Sequence, residues 1–478
     1  MKHVITKYGP RSLFAGILLG ASLAHAGSVT PPPEETSSPS LLAEWWEGKY
    51  ATGNWFGVRD VLEDRGVKIG VEWKANLLWN VDGGLQQRFG YDDEWKFRLT
   101  IDPAKLLGWD AIEGLSFYSD VRYRGGSGVN QYIGTGNTGQ FAPSTFQGGR
   151  LWRFQNAYAT YTTPEAFGIK EFLTISGGWQ NPTDIFVNQP LNKFFINNTF
   201  TSNRGIGANG IGWGGSYSAW GGYLKVKPTE WSYLQSGLYV AIPNAGTTSN
   251  HGLFFAGAQP PDSNGLFWLT ETGLTPKLGP SKLPGRYATG FIYWGVENTS
   301  YFGENYDQRL LFYFQADQML YREPTPEEPA PLGKGPSDGK SLADGKNAKE
   351  VIPTPAKPKL NEQGLYFFSL ITFAPKYNNP EPFYFQTGLV YKGLIPTRDA
   401  DQIGLAFGYG NYSYYKILED RADGDPTQTY QGVLEGSYRF QLNRWAYVQP
   451  TVQYIIRPGA TGLVSNATVL GFQLGVTF

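Results

Sequence analysis

The sequence predicts an all-β protein, a transmembrane antiparallel β-barrel of about 16 strands preceded by a short N-terminal periplasmic helix. Three observations predict it. Segment after segment of about ten residues alternates apolar with polar side chains, which is the barrel pattern. No stretch after the N-terminal region reaches about 18 uninterrupted apolar residues, which argues against membrane-spanning helices. Aromatic residues make up 16% of the chain and glycine occurs 61 times, as interfacial girdles and tight turns require.

The C-terminal segment shows this alternation most clearly. Successive side chains of a strand point to opposite faces, and here one face is wholly apolar while the other is small or polar. A last strand of a soluble sandwich would show the same pattern, so this segment alone leaves both readings open. A terminal Phe on the apolar face also resembles the signal that outer-membrane barrels present to their insertion machinery, which makes Phe478 its predicted contact. The apolar set is Leu470, Phe472, Leu474, Val476 and Phe478.

The N-terminal region predicts export. Lys2, Lys7 and Arg11 precede an apolar run, and Ala24-His25-Ala26 is an A-x-A cleavage site. A short helix is expected further on, with Asn54 as its cap and Gly66 at its end. The predicted organisation is a signal peptide at 1–26, a flexible tether at 27–44, a periplasmic helical segment at 45–66 and a barrel at 67–478.

Strands are predicted wherever the alternation holds. Residues 322–362 interrupt it with a Pro-rich, charge-balanced stretch that reads as a disordered periplasmic insert. It is either a tolerated insertion or a contact to peptidoglycan or a periplasmic partner. Stretches 125–150 and 243–263 are expected to be outer loops, with the former folding inward to narrow the pore. The predicted strands are 69–80, 94–101, 115–124, 151–162, 171–179, 214–227, 231–242, 264–275, 285–297, 307–321, 363–375, 382–393, 401–412, 427–440, 444–457 and 467–478.

Composition excludes most catalytic chemistry. There is no Cys, and once the signal is removed His251 is the one histidine left, which rules out multi-His metal sites. A barrel lipase would need His251 as its base, and its Asn/Gly surroundings indicate a loop instead. Two G-x-G-x-x-G matches, at 134–139 and 205–210, lack the strand–helix context of a dinucleotide site. We therefore expect no enzyme activity, no catalytic residues, no metal and no cofactor. The formal net charge of −1 leaves no basic footprint for nucleic acid.

The remaining candidates for function are charged side chains on the polar face of the predicted strands. Charges inside a protein are costly unless they are paired or hydrated, so the set implies either a wet lumen or ion pairs that stiffen the wall, and the two can coexist. Mixed signs suit polyhydroxyl solutes, because carboxylates accept and Arg and Lys donate hydrogen bonds. Lumen aromatics such as Tyr118 or Tyr313 could stack on sugar rings. The candidate pore-lining residues are Glu72, Lys74, Lys96, Arg98, Asp120, Arg122, Arg124 and Asp317.

Several separated motifs, in order, resemble the carbohydrate-selective porin family, the OprB-type outer-membrane porins. They are Thr52-Gly-Asn-Trp-Phe-Gly-Val-Arg59, Ser176-Gly-Gly-Trp-Gln-Asn-Pro-Thr-Asp-Ile-Phe186, Gln315-Ala-Asp-Gln-Met-Leu-Tyr-Arg-Glu-Pro324, Gly388-Leu-Val-Tyr-Lys-Gly-Leu-Ile-Pro-Thr-Arg-Asp-Ala-Asp401 and Gln449-Pro-Thr-Val-Gln-Tyr-Ile-Ile-Arg-Pro458. The resemblance implies a sixteen-stranded barrel in a Gram-negative-type outer membrane that passes mono- and small oligosaccharides by diffusion. The insert at 322–362 departs from the family.

The expected partners are small carbohydrates, outer-membrane lipid and lipopolysaccharide, and the insertion machinery. Monomer and homotrimer both remain open. The main alternative is a plugged barrel that serves as an outer-membrane scaffold or cell-wall anchor. A ligand-gated active transporter would need a larger barrel and an N-terminal plug domain.

Overall fold

The computed structural model describes residues 41–135, 141–146, 151–202, 204–212, 217–241, 251, 265–324 and 362–478. Residues Trp45–Phe478 form one compact unit, which contains the barrel. The predicted signal peptide, nearly all of the tether and most of the insert lie outside the described residues.

Sixteen long strands form the barrel, and each overlaps one predicted segment. Short hairpins add the pairs Glu165–Ala166 with Ile169–Lys170 and Asn298–Thr299 with Asn305–Tyr306, and Lys277–Leu278 pairs antiparallel with the start of β9. The strands are β1 (Val67–Asp82), β2 (Phe89–Ile101), β3 (Leu115–Ser127), β4 (Leu151–Thr162), β5 (Leu173–Gln180), β6 (Ala219–Thr229), β7 (Ser232–Ala241), β8 (Gly265–Leu274), β9 (Leu283–Trp294), β10 (Arg309–Arg322), β11 (Gly364–Phe373), β12 (Phe383–Lys392), β13 (Gln402–Asn411), β14 (Tyr430–Gln441), β15 (Ala446–Ile456) and β16 (Ala467–Thr477).

The sheet closes on itself. Every strand pairs antiparallel with its sequence neighbours, and β1 pairs with both β2 and β16, so that Trp73 lies opposite Trp95 on one side and Val476 on the other. Closure leaves no unpaired sheet edge to be exposed to lipid. The predicted fold class is thus confirmed. Because the strand number is even, both barrel ends of the chain lie at one rim, called here the terminal rim. Most of the longer connections lie at the opposite rim, but the longest, from β10 to β11, joins strands at the terminal rim.

The alternation in the sequence becomes an outside and an inside. Phe97 and Phe117 on the outer face are 46% and 45% exposed, whereas Asp120 on the inner face is 1% exposed. On β16 Phe472 is exposed and Gln473 is buried. The apolar parity therefore forms the lipid-facing surface, and the polar parity faces the interior.

The helices are short. Among the residues that the structure describes, none is long and apolar enough to cross a bilayer. They are α1 (Leu41–Glu47), α2 (Val58–Asp64), α3 (Pro103–Leu107), α4 (Asn198–Thr201), α5 (Arg204–Gly207) and α6 (Tyr414–Asp423), with 3₁₀ turns at Trp55–Gly57, Asp110–Ile112, Val129–Tyr132, Pro182–Asp184 and Asn192–Phe194.

The predicted helix before β1 exists as α2. Its N-cap is Gly57 and not Asn54 as predicted, because the 3₁₀ turn Trp55–Gly57 lies between Asn54 and the helix; Asn54 Oδ1 still accepts a hydrogen bond from the Asp60 amide in the first turn, at 3.2 Å. Gly66 ends it with φ at +84°, and a Cβ there would lie 2.6 Å from the Asp102 carbonyl oxygen. Only glycine tolerates both conditions.

Arg59 of α2 joins this segment to the last residue of the barrel. Its guanidinium lies 3.8 Å from the ring centroid of Tyr50 and 4.1 Å from that of Trp55, and it donates to the Phe478 carbonyl at 3.1 Å. The Phe478 amide donates to Val71 at 2.8 Å, and its ring stacks on Trp95. The β1–β16 seam is therefore reinforced by a cation held between aromatic rings.

We expect Arg59→Ala to destabilise the barrel by about 2–4 kcal/mol, because it removes a desolvated cation–π contact and a charge-assisted hydrogen bond. Urea unfolding in detergent micelles, followed by tryptophan fluorescence and by heat-modifiable mobility on gels, measures this. Arg65→Ala, which removes an exposed charge from the same segment, is the control. Equal midpoints for both variants would contradict the role assigned to Arg59.

A second tie lies in the turn between β12 and β13. Arg398 donates to both carboxylate oxygens of Asp401, at 2.8 and 2.7 Å, and Asp401 also accepts from the Tyr438 hydroxyl at 2.8 Å and the Gln441 amide at 2.9 Å. Burial by itself would raise the pKa of Asp401, but these hydrogen bonds outweigh it and hold the pKa below its usual value. One carboxylate thus fastens this turn to the end of β14.

The lowered pKa predicts an acid-sensitive turn. A carboxyl whose pKa is lower in the folded state stabilises the fold above its unfolded pKa of about 3.9 and loses that contribution as pH falls through the folded value. Asp401→Asn should be less stable than the wild type at pH 7 and should lose less stability on acidification below pH 4. Unfolding midpoints measured from pH 7 to pH 2.5 check this; parallel curves would refute it.

Candidate functional site

A long connection from β5 to β6 folds into the barrel instead of standing outside it. We call residues 181–212 the lumen segment; residue 203 lies outside the described part. It contains α4, α5 and two 3₁₀ turns, and several of its apolar side chains are almost completely buried. These are Phe186, Val187, Phe194, Phe195, Ile196, Phe200, Ile206 and Ile211. A segment of this kind can stay inside only if its backbone polar groups find partners on the wall.

Glu435 of β14 supplies one anchor. Its carboxylate is fully buried and accepts hydrogen bonds from the backbone amides of Ile196 at 2.8 Å and Asn197 at 2.9 Å. The hydroxyl of Ser437 donates to it at 2.8 Å. Two adjacent amides that would otherwise be unpaired are thus held by one acceptor.

Glu271 of β8 supplies a second anchor on another part of the wall. It is 1% exposed and accepts from the Val187 amide at 3.2 Å, from the hydroxyls of Tyr233 and Tyr313 at 2.7 and 2.8 Å, and from Arg286 at 3.1 Å. The lumen segment is therefore tied to the wall near both of its 3₁₀ turns.

The loop after β3 also turns inward, as the sequence analysis expects. In its described parts Val129, Ile133 and Phe141 are at most 1% exposed. Ser144 donates to Asp92 at 2.8 Å and accepts from Asn76 at 2.7 Å, both on the inner wall. This loop and the lumen segment together fill much of the interior.

Between them and the wall formed by β1, β2 and β3 remains a charged cavity of about 230 Å³. Five of the eight predicted residues line it, namely Glu72, Lys74, Lys96, Arg122 and Arg124. Two more of the predicted residues, Arg98 and Asp120, pair with members of this set. Parity along three neighbouring strands was therefore sufficient to bring these charges together.

The wall charges are paired both along single strands and across neighbouring strands. Asp120, fully buried, accepts from Arg122 Nε at 2.9 Å and lies 3.7 Å from Lys96 Nζ. Glu72 accepts from Arg98 at 2.6 Å and lies 3.3 Å from Lys74 Nζ. Opposite charges facing each other across strands stiffen the sheet. The cations remain partly exposed, so they keep donors directed at the cavity.

The lumen segment completes the cavity with residues that strand parity could not identify. Asp184, whose side chain is 42% exposed, lies 3.9 Å from Arg122 Nη2. Lys193 lies across the cavity and donates to Asn188. From the wall, Glu94 accepts from Arg124 at 2.7 Å. Asp184 stands in a motif quoted above, which was the one sequence signal available for it.

Two predicted residues lie elsewhere. Asp317 sits opposite Arg286 in the β9–β10 register, on the Glu271 side of the interior, and does not line the charged cavity. Tyr313 is fully buried with its hydroxyl on Glu271, so its ring is inaccessible to a solute. Tyr118 remains partly exposed on the inner wall.

Comparisons with known proteins agree with this architecture. The family model described as carbohydrate-selective porin, OprB family, matches residues 86–333 and 350–478. The chain belongs to the OprB family of carbohydrate-selective porins. It is 26% identical to Porin B of Pseudomonas aeruginosa, over 99% of both chains, and 21% identical to putative porin QuiX of Acinetobacter baylyi, over 92% of this chain and 96% of that one. The high-pH structure of Pseudomonas putida OprB, 22% identical, covers 91% of this chain and 100% of that one with a TM-score of 0.74.

The family and the fold place the porin in the outer membrane, which it crosses with multiple β-strands. Both are those of a channel protein. Hydrogen bonds in the structure also give the C-terminal motif at 449–458 a physical role. Gln449 donates to the Phe194 carbonyl at 2.8 Å, and Gln453 donates to the Pro143 carbonyl at 3.1 Å and accepts from Asn197 at 2.8 Å. The inward positions of β15 thus hold both inner loops.

We expect Glu435→Ala to loosen the lumen segment of the porin, because two buried amides lose their acceptor at about 1–3 kcal/mol each. Single-channel conductance in planar bilayers should rise, with more frequent fluctuations. Glu435→Gln keeps one acceptor oxygen, so its conductance and its fluctuation frequency should lie between those of the wild type and of Glu435→Ala. A Glu435→Ala channel that folds and conducts like the wild type would contradict the anchoring.

Proposed function

We propose that the porin passes small neutral sugars by passive diffusion and that the charged cavity is its selective constriction. The observation that carries this is the cavity itself, which lies between the wall of β1–β3 and the lumen segment and is lined by both donors and acceptors. Its size suits a solute of a few rings at most. Selectivity in such a pore requires binding that is strong enough to favour entry and weak enough to allow release.

The ion pairs support this role because they are incomplete. Lys96 Nζ is 3.7 Å from Asp120, and Arg122 Nη2 is 3.9 Å from Asp184. Because both distances exceed that of a hydrogen bond, Lys96 and Arg122 keep N–H donors, and Asp184 keeps acceptor capacity, that sugar hydroxyls can use. A cavity with fully satisfied pairs would offer a solute nothing, whereas one with unpaired buried charges would be unstable.

The remaining expectations from the sequence are part of this proposal. The terminal rim lies in the periplasm, and Phe478 is read by the insertion machinery during assembly. Aromatic and apolar side chains of the outer face contact lipid and lipopolysaccharide.

Liposome swelling over a graded series of sugars and amino acids tests the function. Sugars up to a small oligosaccharide should enter faster than amino acids of similar mass. Correctly folded porin that admits no solute would overturn the proposal and favour the plugged scaffold.

The charges predict ion selectivity as well. Among the described residues, basic side chains outnumber acidic ones around the cavity, with Lys74, Lys96, Arg122, Arg124 and Lys193 against Glu72, Glu94 and Asp184. Arg98→Ala and Arg122→Ala should therefore change the single-channel conductance and shift the reversal potential in a salt gradient towards cation preference. Lys277→Ala, in an exposed turn, is the matched control and should behave as the wild type. Unchanged currents in the two arginine variants would remove these residues from the pore.

A further inference from the structure

A pair of tyrosines lies on the inner wall next to the charged cavity. Tyr118 of β3 and Tyr158 of β4 are direct cross-strand partners, with ring centroids 5.3 Å apart and ring planes tilted by 40°. They stand one inward position from Asp120 and Asn156, towards the terminal rim. A solute that leaves the cavity in this direction meets them next.

The pair is accessible. Both side chains are partly exposed, unlike the fully buried Tyr313. The residue opposite Tyr158 on β5 is Gly178, so no side chain covers that flank of the ring. Gly178 has φ at +141°, and a Cβ there would lie 2.7 Å from the Cα of Tyr158. The open flank is therefore imposed by the backbone.

The polar groups around the pair have unused hydrogen-bonding capacity. Within the described part of the chain, neither phenol hydroxyl has a hydrogen bond to a protein group. Asp184 is joined to this part of the wall through Asn156, which stands one inward position from Tyr158 and donates to Asp184 Oδ2 at 3.4 Å; Arg122 Nη2 lies 3.9 Å from the same oxygen. Since both contacts are long, this partly exposed carboxylate keeps capacity to accept from two neighbouring hydroxyls of one solute.

An aromatic face near a partly exposed carboxylate with acceptor capacity is an arrangement that fits a sugar ring. The C–H face of a pyranose is apolar and flat, and it packs on an aromatic ring, while its equatorial hydroxyls point outward to acceptors. A linear polyol of equal size has the same hydroxyls but no rigid apolar face. The combination can therefore distinguish ring from chain, which the charged cavity alone cannot.

We propose that Tyr118, Tyr158 and Asp184 form a subsite that binds the pyranose ring of a neutral sugar as it passes the constriction. The ring lies against the tyrosine pair, and two hydroxyls donate to Asp184. The subsite rests on the proposed function and adds a preference for cyclic sugars over open-chain polyols.

The test is the block of single-channel ion current by D-glucose and by D-sorbitol, which have similar mass. The wild type should bind glucose more tightly than sorbitol. Tyr118→Leu/Tyr158→Leu should raise the glucose dissociation constant roughly tenfold, as the loss of aromatic stacking predicts, and leave sorbitol nearly unchanged. Tyr118→Phe/Tyr158→Phe keeps the ring faces and should retain most of the preference. Asp184→Asn should weaken both solutes.

The matched control lies on the same two strands. Tyr123 and Tyr161 are on the outer face, 41% and 40% exposed, so Tyr123→Leu/Tyr161→Leu changes the same residue types without touching the lumen. It should bind glucose as the wild type does. Equal block by glucose and sorbitol in the wild type, or unchanged glucose block in the inner double variant, would overturn the subsite. A wild-type channel that admits no sugar at all would instead overturn the proposed function.

Discussion

The interior of this barrel depends on two buried carboxylates that hold the backbone of the lumen segment. A closed sheet satisfies its own hydrogen bonds, but a chain that crosses the lumen brings amides that have no ladder partner. Glu435 takes two of them and Glu271 takes another, from separate parts of the wall. Because each carboxylate accepts several donors at once, one inward residue can fix a turn of the segment. The size of the charged cavity follows from where these turns are held.

The charges that face the cavity are likewise arranged so that one buried acceptor serves several donors. Asp120 is completely buried yet serves Arg122 and Lys96 together, and its second oxygen accepts from Asn156. A paired wall and a lumen lined by partly exposed charges are therefore not alternatives here. The buried acceptors position the cations, and the ends of those cations remain partly exposed to the cavity.

At the terminal rim, contacts outside the sheet reinforce the closure of the barrel. The strand pairing of β1 with β16 completes the sheet, and the segment before β1 then folds back over the last residue. Arg59 is 3% exposed between aromatic rings and reaches the Phe478 carbonyl. Trp45 packs on Trp445 with ring centroids 4.9 Å apart, at the neighbouring β14–β15 turn. Two ends of the sequence thus stabilise one seam.

The sequence by itself determined the barrel and its sidedness. A period of two is a local property of each strand, so the alternation along Leu470–Phe478 or around Asp120 already states which side chains face lipid and which face the interior. For the same reason seven charges from three adjacent strands could be assigned to one site. Parity cannot place residues that belong to no strand, and it cannot tell an open lumen from a filled one. Asp184 and Lys193 line the charged cavity, and Tyr313 is buried away from it, only because the lumen segment folds inward onto Glu271 and Glu435. Those contacts join residues far apart in the chain, and no local pattern encodes them; the tertiary structure alone decided which residues line the charged cavity.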